Sequence, residues 1–143
     1  MKNLLLSFFL ILSSLIFGQT DQFKDLLQKT KQSYIDRGYT LVSETGGSIK
    51  TSEPLVTEQI LLEYNTYYIV LVQVEGCIYC DYEINFVDEN DFLLPVDFEF
   101  VFEDNLKKAI YKFQNDVNKK GKYVMFLDSD LPYYSNIYVF KKK

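Results

Sequence analysis

The residue pattern predicts a small antiparallel β-sandwich preceded by one α-helix. Three observations carry that expectation. One stretch after an apolar leader repeats its apolar residues at helical spacing, and most of the chain beyond Gly38 alternates apolar with polar residues. The chain also holds 12 Tyr and 12 Phe, side chains that suit a pleated, half-buried surface.

The leader comes first. Lys2 is followed by an apolar run from Leu4 to Phe17, broken only by Ser7, Ser13 and Ser14, and the next charge is Asp21. A basic start, an apolar stretch and a small residue at the exit make a signal peptide over residues 1–18, cut between Gly18 and Gln19. As a helix the run reaches about 21 Å, short of the roughly 30 Å hydrocarbon core. It is therefore expected to direct export to the periplasm or outside, with no stable membrane insertion after cleavage. No cysteine follows the run to accept a lipid anchor. The 125 residues that remain fit one domain.

Residues 19–38 read as a helix capped by Thr20 or Asp21. Phe23, Leu26, Leu27, Thr30 and Tyr34 form its apolar stripe, and Gly38 is placed to end it. Residues 39–143 form the sandwich. Tyr39 to Thr45 reads as a strand and Gly46-Gly47 as a turn. Val56 to Tyr64 reads as a strand with Val56, Glu58, Ile60, Leu62 and Tyr64 on one side, and Asn65-Thr66 as a tight connection. Tyr67 to Val74 carries no charge, which suits a central strand buried on both faces. Tyr82, Ile84 and Phe86 point inward while Asp81, Glu83 and Asn85 point outward, before an acidic turn at Asp88-Glu89-Asn90-Asp91. Val96, Phe98, Phe100 and Phe102 read as another inward set. Residues 104–118 fit a helix through Leu106, Ile110, Phe113 and Val117, or a strand through Ala109, Tyr111 and Phe113. Asn115 to Gly121 reads as a polar turn, and Tyr123 to Leu127 and Ile137 to Phe140 as the last strands.

Glu83-Ile84-Asn85-Phe86-Val87-Asp88-Glu89-Asn90, then Phe113, then Gly121-Lys122-Tyr123-Val124-Met125, resemble the motifs of the bacterial pre-peptidase C-terminal domain and related secreted sandwich modules. The resemblance spans roughly residues 64–143. Where that family usually has Gly closing the acidic turn, this chain has Asp91. It implies a jelly-roll-like sandwich with a strand at about Lys107 to Gln114. It also implies an accessory module without catalysis of its own, of a kind that in some members binds calcium or polymers.

Charge and missing residue types narrow the function. The chain has 15 basic and 20 acidic side chains, a net charge of −5, and loss of Lys2 with the leader takes it to −6. Such a surface repels phosphate backbones, so no nucleic acid is expected as partner. Lys141, Lys142 and Lys143 are a local exception, read as a solvated end that discourages edge pairing. Histidine is absent, which removes Ser-His and Cys-His nucleophile pairs and imidazole metal ligands.

Cys77-Ile78-Tyr79-Cys80 is the motif with reactive potential. After export two nearby cysteines commonly pair, and in a regular strand they point to opposite faces, so a bond requires a turn at Ile78-Tyr79. A structural disulfide, free thiols and thiol redox catalysis are the alternatives. Asp88, Asn90, Asp128 and Asp130 offer hard oxygen ligands for calcium, against the reading of ordinary solvated turns. Among the tyrosines Tyr67, Tyr68, Tyr79, Tyr82, Tyr133, Tyr134 and Tyr138, the pair Tyr133-Tyr134 beside Pro132 is the candidate ligand contact. The expected function is a non-catalytic binding or structural module of the bacterial cell envelope, its partner an envelope protein or glycan. The competing readings are a thiol-disulfide redox protein and a subunit of an envelope assembly.

Overall fold

The computed structural model describes residues 21–103 and 106–142; the expected signal peptide lies outside them. Helix α1 (Asp21–Asp36) is followed by ten strands: β1 (Thr40–Ile49), β2 (Leu55–Val56), β3 (Ile60–Leu62), β4 (Thr66–Val74), β5 (Tyr82–Asp88), β6 (Leu93–Pro95), β7 (Glu99–Glu103), β8 (Leu106–Asn115), β9 (Lys119–Leu127) and β10 (Tyr133–Lys142). All strand pairs are antiparallel. One sheet runs β1-β10-β4-β8-β7 and the other β2-β9-β5-β6, with β3 also on β9. The orders β1-β10-β4-β8 and β2-β9-β5-β6 are those of two nested Greek keys, so the sandwich is a jelly roll with β7 added outside β8.

Alternation sets the layers. Tyr68, Val70, Val72 and Val74 of β4, Ala109 of β8, and Ile137 and Val139 of β10 face the second sheet. There they meet Ile60, Leu62, Ile84, Phe86, Tyr123, Met125 and Leu127. The opposite face of β4 and β10 carries Ile69, Leu71, Tyr138 and Phe140, and α1 covers it with Phe23 and Leu27. The uncharged run predicted to be buried on both faces is thus β4, second neighbour to either edge of its sheet. Each large apolar side chain buried here contributes about 1.5–3 kcal/mol.

The ambiguous segment 104–118 contains the strand β8. Its apolar residues mimic a helical stripe because both of its faces are covered. Ala109, Tyr111 and Phe113 belong to the inner core, Leu106 and Ile110 to the layer under α1.

Several local expectations are corrected. Gly46-Gly47 is not a turn but the middle of β1, paired with Asn136 and Ser135. Gly46 serves close approach, since a Cβ there would stand 2.6 Å from the Tyr134 hydroxyl. The expected strand Val56 to Tyr64 is broken into β2 and β3. Across that break the facing reverses, so Leu55 is buried and Val56 exposed, while Ile60 and Leu62 are buried. The tight turn sits one residue early, at Tyr64-Asn65, with Asn65 at φ 54°. Asn85 faces outward from the second sheet yet is buried, beside Val124 and Pro95 across the ladders. Phe100 and Phe102 do not reach the core and remain 44% and 63% exposed, because the facing sheet ends in the short β6.

Gly121, which opens the Gly-x-Tyr stretch, is buried against Val87 and Phe86. An added Cβ would collide with the Val87 carbonyl oxygen and stand 2.5 Å from the Phe86 ring. Gly121→Ala is expected to lower stability by about 1–3 kcal/mol, read from the urea midpoint at unchanged slope. Burial raises the phenols of Tyr82, Tyr123 and Tyr138 well above their ordinary value of 10. The unfolded chain then ionises first, so their stabilising effect is complete below about pH 10 and is lost as pH rises beyond it. Thermal midpoints should fall above that pH, and Tyr123→Phe should make the fall shallower.

Candidate functional site

The end of α1 is a glycine-terminated turn packed against the sheet. Gly38 takes φ 86°, and the Tyr39 N–H donates to the Tyr34 carbonyl at 3.1 Å while the Gly38 N–H donates to the Ile35 carbonyl at 2.9 Å. These two bonds are the Schellman stop, and the side-chain contact that accompanies it is here aromatic. Tyr39 meets Tyr34 edge-on at 5.7 Å. Tyr34 also stacks on Phe140 at 4.7 Å, which ties the helix end to β10.

This arrangement makes one wall of a cleft of about 400 Å³ lined by Tyr34, Arg37, Tyr39, Tyr67, Ile69, Lys112 and Lys142. The other wall is the outer face of the sheet, where register sets Tyr67 opposite Lys142 and Ile69 opposite Lys112. Arg37 lies 4.7 Å above the Tyr34 ring and Lys142 5.2 Å above Tyr39, contacts of the cation–π type. Arg37 also donates to the Ser33 carbonyl and hydroxyl, and Lys142 to the Arg37 carbonyl. Among the described residues no carboxylate lines the cleft. None of its three cations is ion-paired among the described residues, although Lys31, Lys108 and Lys141 are paired elsewhere. Burial pushes the Tyr34 phenol up, with Arg37 pulling against it, so at neutral pH the hydroxyl is protonated and can donate. The cleft offers ring faces and hydrogen-bond donors to an acceptor-rich, negatively charged ligand.

The residues singled out in the sequence fall elsewhere. Cys77 and Cys80 form a disulfide with Cα atoms 5.4 Å apart, on bends at Ile78 and Tyr79 in the link from β4 to β5. Cys77 is buried in the inner core and Tyr79 is fully outside. No helix begins at the motif, so the feature that commonly lowers a catalytic thiol's pKa is missing. Lys107 donates to the Cys80 carbonyl at 2.9 Å and lies over the Phe100 and Tyr82 rings.

Tyr133 and Tyr134 begin β10 near the same end of the sandwich, both half-buried and on alternate faces. Tyr133 packs on the inner core, and Tyr134 meets Phe23 of α1 at 6.0 Å. Asp128 and Asp130 stand in the neighbouring loop, where the Asp128 N–H donates to the Asp81 carbonyl. Asp88 and Asn90 are at the far end. There an Asp88 oxygen accepts from the Asn90 and Phe92 N–H groups at 2.8 and 3.0 Å, and Asp91 takes φ 61°. The four calcium candidates are thus divided between the two ends. Among the described residues no group of three or more His, Cys, Asp or Glu could hold a metal ion.

Of the cleft, the sequence singled out Tyr67 and, in the terminal lysine run, Lys142. Tyr34 read as helix core and Tyr39 as the start of a strand, while Arg37 and Lys112 carried no signal. No protein-family model matches the chain, and no curated protein matches its sequence.

A four-residue disulfide loop limits the unfolded chain only modestly. Replacing both Cys77 and Cys80 by Ala should cost about 2 kcal/mol, measured by chemical denaturation. The oxidised protein should not oxidise a model dithiol, and its dithiol form should not reduce a model disulfide; turnover in either direction would select the redox reading.

Proposed function

We propose that this protein is an exported, non-catalytic binding module of the bacterial cell envelope that takes an anionic envelope glycan into the cleft between α1 and the outer face of β4, β8 and β10. The observation that carries the reading is the composition of that cleft, which among the described residues has three tyrosines and three cations and no carboxylate, on a chain of net negative charge. Tyrosine rings pack against the C–H faces of sugars while their hydroxyls bond to sugar oxygens, and Arg and Lys bind carboxylate or phosphate substituents. The Cys77–Cys80 bond fits an oxidising, extracytoplasmic compartment. Among the described residues no helix is long and apolar enough to cross a membrane. The absence of histidine supports binding rather than acid–base turnover.

The test is titration of residues 19–143 with a galacturonate oligomer, a glycerophosphate oligomer and a neutral glucan of equal length. At least one anionic oligomer should bind, more weakly as salt rises, and Lys112→Glu should weaken it about tenfold, the equivalent of one charge-assisted hydrogen bond. Equal binding of all three, or none, would remove the reading.

A further inference from the structure

Exposed sheet edges invite pairing with other chains, and folded proteins usually protect them with short strands, prolines, lysines or bulges. Most edges of this sandwich follow that practice. The β1 edge has a register break between Leu41 and Ser43. β2 and β3 are two and three residues long, and β6 is three residues ending in Pro95.

β7 differs. Its five residues, Glu99-Phe100-Val101-Phe102-Glu103, keep an unbroken register on β8 and contain no proline, lysine or bulge. Among the described residues no strand pairs with its outer side. Phe100 and Phe102 point toward the facing sheet, but β6 is too short to cover them, and Phe92, Leu93 and Leu94 are exposed as well. Phe100 meets the Tyr82 ring edge-on at 5.3 Å.

We propose that β7 is a docking edge for an extended segment of another protein, added as a strand, in which apolar residues are flanked by Lys or Arg. The charge pattern selects that occupant over a second copy of this chain. Antiparallel self-pairing centred on Val101 would place Glu99 opposite Glu103 of the second copy twice, and like charges directly opposite oppose pairing. A strand with cations at those two positions meets Glu99, which has no ion pair among the described residues, and Glu103, which Lys108 already orients. Backbone bonds supply the affinity and the flanking charges the choice of partner.

The experiment uses residues 19–143 and labelled peptides built on Lys-Phe-Val-Phe-Lys, followed by fluorescence anisotropy. Saturable binding is expected, with about tenfold weaker binding for Glu-Phe-Val-Phe-Glu and for a backbone N-methylated Lys peptide. Glu99→Lys should narrow or invert the charge preference, while Lys112→Glu in the cleft should leave peptide binding unchanged. Failure of the Lys peptide to bind, equal binding of the acidic and N-methylated controls, or a stable dimer abolished by Phe102→Lys would each overturn the proposal.

Discussion

Two central strands, β4 and β10, bury side chains on both faces, and the rest of the molecule is arranged to meet that demand. A sheet whose outer face carries Ile69, Leu71, Tyr138 and Phe140 would expose a large apolar patch if left open. The second sheet covers one side, and among the described residues α1 covers the other. The dependence is mutual. A 16-residue helix is marginal in water, so α1 is stable because Phe23 and Leu27 have somewhere to go. The Tyr138 hydroxyl, donating to the Leu27 carbonyl at 3.3 Å, marks the contact.

That mutual dependence also makes the cleft. Gly38 stops the helix before the outer face ends, with a turn that folds Tyr39 back against Tyr34. Strands β4, β8 and β10 run on past the helix, and their next outward residues, Tyr67, Lys112 and Lys142, stand beyond its cover. The cleft is the uncovered remainder of a face that α1 otherwise fills. Its positive character follows from which residues happen to share that remainder, since they come from four elements far apart in the chain.

The other end of the sandwich is built differently. The links β1–β2, β4–β5 and β9–β10 cross between the sheets there, joined by bonds such as Thr51 N–H to the Ser129 carbonyl and Asp128 N–H to the Asp81 carbonyl. The disulfide adds a covalent tie to one of them. Along the flank, β6 and β7 leave the sandwich partly open. A sheet closes an edge only when the opposing strand is long enough, and here the two differ by two residues. The excess falls on Phe100 and Phe102.

What the amino-acid order determined alone is what depends on near neighbours. The helix and its glycine stop, the doubly buried β4, the Ile84 and Phe86 alternation and the bend needed to close Cys77–Cys80 are all matters of periodicity or local geometry over a few residues. The sandwich class follows from these. Tertiary structure decided what depends on who lies across the sheet. Periodicity could not choose a strand for β8, because burial on two faces imitates a helical stripe. It placed a turn at Gly46-Gly47, where the need for glycine came from Tyr134 and Asn136, some 90 positions away in the chain. It sent Phe100 and Phe102 into the core, whereas the short β6 leaves both of them exposed. The cleft was invisible for the same reason, since Tyr34, Arg37, Tyr67, Lys112 and Lys142 become neighbours only through strand register and helix docking, and neither is written in local order.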